Sequence, residues 1–392
     1  MAIQVNSSIQ SALKAVKRLH YLDHLKVVLT VLVIAHHASQ AYAPLSGDWL
    51  ISNPTKSAAL MPFQTVNAAF FMGLFFLISG YFVPGAYDRK SAGDRKGTGA
   101  FLKTRLIRLG IPAFLFAVFV FGPTIYFVMG DQAPLAEFIK QLYQGGWQLL
   151  YIHLWFLLHL LVYNVGYALW RLITKRFDLR AHSNGKIPWH TVLLVFTLFL
   201  VLITWVVRFR YTINQWVPFL YLVPAEMAHL PQYISMFVLG ILAYRFKALD
   251  RLPTAVGLIW LGIGVASATW LYVDYLSGES IMMSQPISGK NVGSLVWSAW
   301  ETLTCVGLGV GLLTVFREWI NKPAGRLMSA ITRAQYGAYI VHILVVIGAQ
   351  AGLADLPLSP FIKFVIATIF GAIISFGISH LALKIPGVKN VI

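Results

Sequence analysis

Long apolar runs, broken by short clusters of Lys, Arg, Gly and Pro, dominate the chain. Read as segments of roughly 17 to 25 residues, long enough for a helix to cross a bilayer, they predict ten membrane helices: about 25–45, 64–84, 105–129, 151–171, 188–208, 231–246, 254–276, 292–316, 333–353 and 360–384. The sixth is short for a crossing. The pattern predicts an all-α polytopic membrane bundle of about ten helices, in one domain over 25–384. Residues 1–24 form an amphipathic lead-in with no cleavable apolar core, and 385–392 a short tail. No internal repeat or low-complexity segment interrupts it.

Charge supplies orientation. Counting the 31 Lys and Arg by the loops these helices define leaves 25 on the side of the N-terminus. The other side holds six, Lys56, Lys140, Arg208, Arg210, Lys290 and Lys363. Basic residues mark cytoplasmic loops, so both termini are expected in the cytoplasm. The net charge of +17 therefore reflects topology rather than nucleic-acid binding. With 58% hydrophobic and 11% charged residues, a soluble globular protein is excluded. The single cysteine, Cys305, provides neither a disulfide framework nor a Cys-based metal site, and no metal is expected.

Ionisable groups inside spanning helices are costly and mark function or a specific packing need. At ~100° of rotation per residue, Asp23, Lys26, Thr30 and His37 share one stripe of the first helix, and His36 points away from it. His37 reads as a base on a buried polar surface, or as a cap on an interhelix hydrogen bond. In the eighth helix, Ser294, Ser298, Glu301 and Cys305 line a second stripe. Glu301 lies about 14 Å and His37 about 12 Å from the outer ends of their segments. The two are expected to meet, with the carboxylate orienting the imidazole; the alternative is a protonated Glu301 bonded for packing. Gln335, Tyr339 and His342 share a face of the ninth helix and supply either a second cavity wall or a structural histidine. His153 and Trp155 fall in an outer aromatic belt, and His159 is deeper and open to either reading.

Arg105 and Arg108, an i, i+3 pair, share a face at the inner entry of the third helix, with Lys103 beside them. They are topogenic charges or a phosphate clamp. Gly73 and Gly80, seven residues apart, predict close approach of another helix.

The stretches "YLDHLKVVLTVLVIAHHA", "FFMGLFFLISGYFVP", "FLKTRLIRLGIP", "HLWFLLHLLVY", "LPQYISMFVLGILAYR", "WETLTCVGLGVGLL" and "YGAYIVHILVV" resemble, in order and along nearly the whole chain, the acyltransferase 3 family. "HLWFL" and "WE" are most similar to a branch that succinylates periplasmic glucans. The resemblance implies an enzyme of the bacterial inner (plasma) membrane. Such an enzyme moves acetyl or succinyl from cytosolic acetyl-CoA or succinyl-CoA to a hydroxyl of an extracytoplasmic carbohydrate. By position it assigns the family's first-helix histidine to His37 and its Arg-x-x-Arg motif to Arg105 and Arg108. Lys26 stands where members usually carry Arg, which keeps the charge without the bidentate fork. No C-terminal esterase-like domain follows the last helix, so transfer is expected to finish in the membrane domain or on an extracytoplasmic partner protein.

These readings converge on an acyltransferase with His37 and Glu301 at the chemistry and Arg105, Arg108, Lys103 and Lys26 holding acyl-CoA. Thr30, Tyr339, His342 and His159 would line its cavity. The competing class is a secondary transporter with a proton or substrate pathway through His37, Glu301 and His342. It leaves the Arg pair without a task.

Overall fold

The computed structural model describes residues 19–44, 49–91, 95–129, 134–145, 147–174, 185–213, 215–220 and 223–392. Most of the expected N-terminal lead-in, residues 1–18, and the inner-loop residues Lys175, Arg176 and Arg180 lie outside them. The crossing helices are α1 (His20–Gln40), α2 (Leu60–Ser91), α3 (95–129), α5 (Trp155–Ile173), α6 (Trp189–Arg208), α7 (Leu230–Arg245), α8 (Thr254–Leu276), α9 (Val292–Trp319), α10 (Arg326–Gly352) and α11 (Pro360–Ala382). A further helix, α4 (Leu135–Gly145), lies between α3 and α5.

Among the described residues nine helices are long and apolar enough to cross a membrane, and α7 is not one of them. At 16 residues it spans only about 24 Å, against a hydrocarbon core of about 30 Å. It nevertheless runs parallel to α2: Gln232 donates to the Ala69 carbonyl at 2.6 Å near its start, and Arg245 pairs with Asp88 at 2.6 Å at its end. It is therefore a tenth, shorter helix running through the bundle beside α2, and residues 19 and 392 fall at the same end of the bundle. That end carries Arg89, Lys90, Lys103, Arg105, Arg108 and Arg245, and is called the basic end below.

Where α7 falls short, a small hairpin precedes it. Strands β1 (Trp216–Phe219) and β2 (Val223–Glu226) pair antiparallel, Trp216 opposite Glu226. His159 of α5 donates through Nε2 to the Pro224 carbonyl at 3.1 Å, and the Trp216 ring rests on Trp155 at 5.7 Å. Protein covers strand β2, while β1 stays partly exposed beside it.

Helices α2 and α9 are the most enclosed spans; α6, α8 and α11 expose Leu, Ile, Val and Phe outward. Lipid is as apolar as these side chains, so contact between helices depends on close van der Waals fit and small residues. The α2–α7 seam shows this: a Cβ at Gly80 would strike the Phe237 carbonyl, and one at Gly240 the Leu77 carbonyl. The close approach expected at Gly80 is thus present, with Gly240 as its counterpart, while Gly73 faces the Cys305 sulfur of α9. Helix α9 begins where expected because the Asn291 side chain accepts from Ser294 N–H at 2.8 Å.

Three local departures shape the site. Helix α1 stops at Gln40, not near 45, so His37 lies only about 5 Å from its end. Helix α3 contains two π turns, Leu106–Gly110 and Ala117–Phe121. A 3-10 segment, Trp147–Leu154, leads into α5 and breaks at Ile152, where φ is 24°. A β-branched residue rarely adopts that angle, and the break turns the chain immediately before His153.

Candidate active site

Helix α1 packs against α2, α9, α10 and α11, which puts its polar stripe at the centre of the bundle. Its far-end turn carries His36 and His37. The His37 ring meets α10: its Nδ1 lies 2.9 Å from the Val33 carbonyl and 3.1 Å from His342 Nε2. His342, fully buried, places its own Nδ1 2.6 Å from the Tyr339 carbonyl. His153 joins them, with its ring centroid 4.6 Å from His342 and 6.2 Å from His37. Its Nε2 donates to the Ile340 carbonyl at 3.1 Å, and the Tyr339 hydroxyl donates to the His153 carbonyl. Tyr339 and His342 thus form a wall beside His37, as their shared face suggested.

A roof comes from the segment after α1. Trp49 stacks on His37, and its indole N–H donates to Gln350 Oε1 at 2.8 Å. The Gln350 amide in turn donates to the carbonyls of His37 and Ala38, each at 3.1 Å. His36 makes only an edge contact with His37, ring centroids 5.6 Å apart. Its ring lies against Phe71 at 5.2 Å and near Gln40 of its own helix.

The expected partnership of His37 with Glu301 does not form. Glu301 belongs to a second buried cluster, where it pairs with Arg208 and lies 3.0 Å from His229 Nε2. Arg208 also donates to Ser298 at 3.0 Å, and His229 Nδ1 lies 2.8 Å from Glu226. The physical reason is charge compensation. Arg208, 1% exposed, ends α6 inside the bundle and needs a buried counter-ion, and the Ser298–Glu301 stripe supplies one. Burial works against a charged His229, but the carboxylates of Glu226 and Glu301 outweigh it and push its pKa up to about 10. The residues that a transporter pathway needs in line are divided between two clusters.

His159 lies on the hairpin side rather than beside His37. It bonds Pro224 through Nε2 and Tyr163 through Nδ1 at 3.0 Å, so its ring is fully engaged. Thr30 also presents no free hydroxyl to a cavity, since its Oγ1 donates to the Lys26 carbonyl at 2.8 Å.

At the basic end, α3 passes into its first π turn between Arg105 and Arg108. A π turn is wider than an α turn, so the three-residue step separates the two side chains more than the expected shared face. Arg105 is half-buried with its guanidinium 5.0 Å from the Phe101 ring centre, within the field of Arg108 and Arg89. Arg108 is exposed, and its carbonyl accepts from the Tyr336 hydroxyl of α10. Lys103 is exposed; Lys26 is paired with Asp23 at 3.0 Å and lies over the Phe82 ring. Among the described residues no group of three or more His, Cys, Asp and Glu is arranged to hold a metal ion.

Sequence reasoning missed Trp49, Gln350 and His229, and placed His153 and Arg208 in outer interface or loop positions. Arg208 carried a signal, being one of only six basic residues on the outer side. Gln350 also carried one, falling about 20° from Tyr339 on the face of α10; Trp49, His153 and His229 gave none, because a 3-10 break and loops bring them in.

A polytopic bundle with a buried histidine cluster above a basic end is the class this geometry defines, and comparison with known proteins places it. The acyltransferase domain of the acyltransferase 3 family matches residues 19–380, and the chain belongs to this family. It is a membrane acyltransferase. It is 25% identical over 386 residues to "Glucans biosynthesis protein C" of Salmonella heidelberg (strain SL476), covering 95% of this chain and 94% of that protein. The namesake proteins of Salmonella agona (strain SL483) and Salmonella paratyphi A (strain ATCC 9150 / SARB42) are similar to the same extent. No solved structure matches the chain.

Proposed function

We propose that the protein transfers an acyl group, acetyl or succinyl, from cytosolic acyl-CoA to a hydroxyl of an extracytoplasmic carbohydrate of the glucan type. The basic end faces the cytoplasm of a bacterial inner membrane, with both termini there. Arg105 and Arg108 grip the phosphates of acyl-CoA, because planar guanidinium forks suit them bidentately. Lys103 adds field from the surface. Lys26 is already committed to Asp23, so its share is small.

The observation that carries the proposal is the placement of His37. No hydrogen bond among the described residues engages its Nε2, while its Nδ1 is held by Val33 and His342. Nε2 is thus available as a general base. It takes the proton of the acceptor hydroxyl as the oxygen attacks the thioester carbon, and returns it to the CoA thiolate as the C–S bond breaks. Glu301, held by Arg208 and His229, stands outside this step. A separate extracytoplasmic protein fits the scheme as carrier of the acceptor.

The test is acyl transfer by purified protein in nanodiscs, with labelled acetyl-CoA and succinyl-CoA and a glucan acceptor read by mass spectrometry. His37→Ala is expected to abolish transfer while retaining acyl-CoA binding, with His36→Ala much milder. Full activity of the His37 variant, or equal loss in both, overturns the reading.

A further inference from the structure

Three carbonyl contacts decide where the protons sit in the histidine cluster. A carbonyl oxygen only accepts, so a ring nitrogen facing one closely carries hydrogen. His342 Nδ1, 2.6 Å from the Tyr339 carbonyl, is therefore N–H, and its Nε2 is a bare acceptor. His37 Nδ1, 2.9 Å from the Val33 carbonyl, is likewise N–H and shares that hydrogen with His342 Nε2 at 3.1 Å. The opposite assignment would set two lone pairs against two carbonyls. His153 is fixed independently, with hydrogen on Nε2 toward Ile340.

From this we infer that His342 is a positioning residue that, together with the Val33 carbonyl, holds His37 in the Nδ1–H tautomer and stabilises its protonated form. The inference rests on His37 being the acid–base group of the proposed reaction. In a Ser-His-Asp triad a carboxylate holds the catalytic imidazole; here a neutral imidazole does so, backed by a backbone carbonyl. The ionisable groups facing His37 and His342 are His36 on the same helix, His153 from the 3-10 segment before α5, and Tyr339 on α10. No carboxylate contacts either ring among the described residues.

The proton balance follows. A proton gained at His37 Nε2 can shift its Nδ1 hydrogen onto His342, but no further, because the Tyr339 carbonyl cannot take one. The relay is a dead end, and the proton must return through His37 to the leaving thiolate. That suits acyl transfer, in which the hydroxyl proton ends on the thiol and leaves with CoA.

The experiment compares His342→Phe with His342→Gln, whose amide oxygen can still accept from His37. His342→Phe is expected to lower kcat by about 10–100-fold, as removal of the orienting partner of a metal-bound histidine does, with the KM for acyl-CoA little changed. His342→Gln should recover much of this. In the Phe variant the acidic limb of the kcat/KM profile moves to lower pH, because the His37 imidazolium loses its acceptor, and in the Gln variant it moves less. A merely structural role would give loss with an unshifted limb and no rescue by Gln, and that result overturns the inference, as does unchanged kcat in the Phe variant. Thermal unfolding and acyl-CoA binding show that each variant is folded. If His342→Phe does not fold, His342→Gln and solid-state NMR of 15N-histidine in the native protein still decide, since His37 must show a protonated Nδ1 and a bare Nε2. An inactive wild type, or an active His37→Ala, sinks the reading of His37 instead.

Discussion

The indole of Trp49 stacks on the imidazole of His37, with ring centroids 5.7 Å apart and planes inclined at 29°. In the proposed reaction an aromatic plate over this ring both shields it from water and gives a sugar ring a face to rest on. Trp49→Ala is therefore expected to raise acyl-CoA hydrolysis without acceptor and to lower the ratio of transfer to hydrolysis by roughly tenfold, about 1.4 kcal/mol. Gln350→Leu should act in the same direction. Thiol release measured beside acyl-glucan formation checks this, and an unchanged ratio contradicts it.

Removing a guanidinium at the basic end should affect donor binding more than chemistry. A hydrogen bond to a charged group contributes about 1.5–3 kcal/mol, so Arg108→Ala should raise the KM for acyl-CoA roughly 10–150-fold while kcat stays within a few-fold. Arg108→Lys should recover only part of this. Lys103→Ala, at an exposed position, should change KM little. Steady-state kinetics with varied acyl-CoA separates the three.

Glu301 holds a buried charge rather than the base, so its loss should appear first in stability. Glu301→Gln leaves Arg208 uncompensated, at a cost of about 3–5 kcal/mol. Paired replacement, Glu301→Leu with Arg208→Leu, should recover much of it, since a buried ion pair is often no better than apolar packing. Unfolding in detergent reads the difference; a more stable Glu301→Gln would contradict the assignment.

The cluster around His229 predicts a pH window. Its pKa is raised by the flanking carboxylates to about 10. The stability it contributes is fully present below the ordinary histidine value of about 6.5 and is lost as the pH rises through about 10. Unfolding profiles of the wild type and His229→Gln should differ most at pH 6 and converge by about pH 10. Divergence on the alkaline side would show the opposite sign.

Most of the bundle was legible because apolar run length fixes crossing helices. The basic end was legible because topogenic charge is conspicuous. His37, Tyr339 and His342 do meet, since regular rotation holds along α1 and α10. Rotation fails where the chain leaves the α register. The break at Ile152 redirects His153, the π turn parts Arg105 from Arg108, and the early stop of α1 frees the segment that carries Trp49. The pairing of Glu301 was misread for another reason. Depth along one helix does not reveal a partner such as Arg208, which a sequence count assigns to a loop.

One face of α10 touches everything in turn: Tyr336 at the Arg108 carbonyl, Tyr339 at the His153 carbonyl, His342 at His37. From Tyr336 to His342 is about 9 Å of helix rise, so α10 sets the spacing between the basic end and His37 as a gauge would. In the proposed reaction that gauge favours donors whose phosphates and thioester lie far enough apart to reach both, as those of acyl-CoA do.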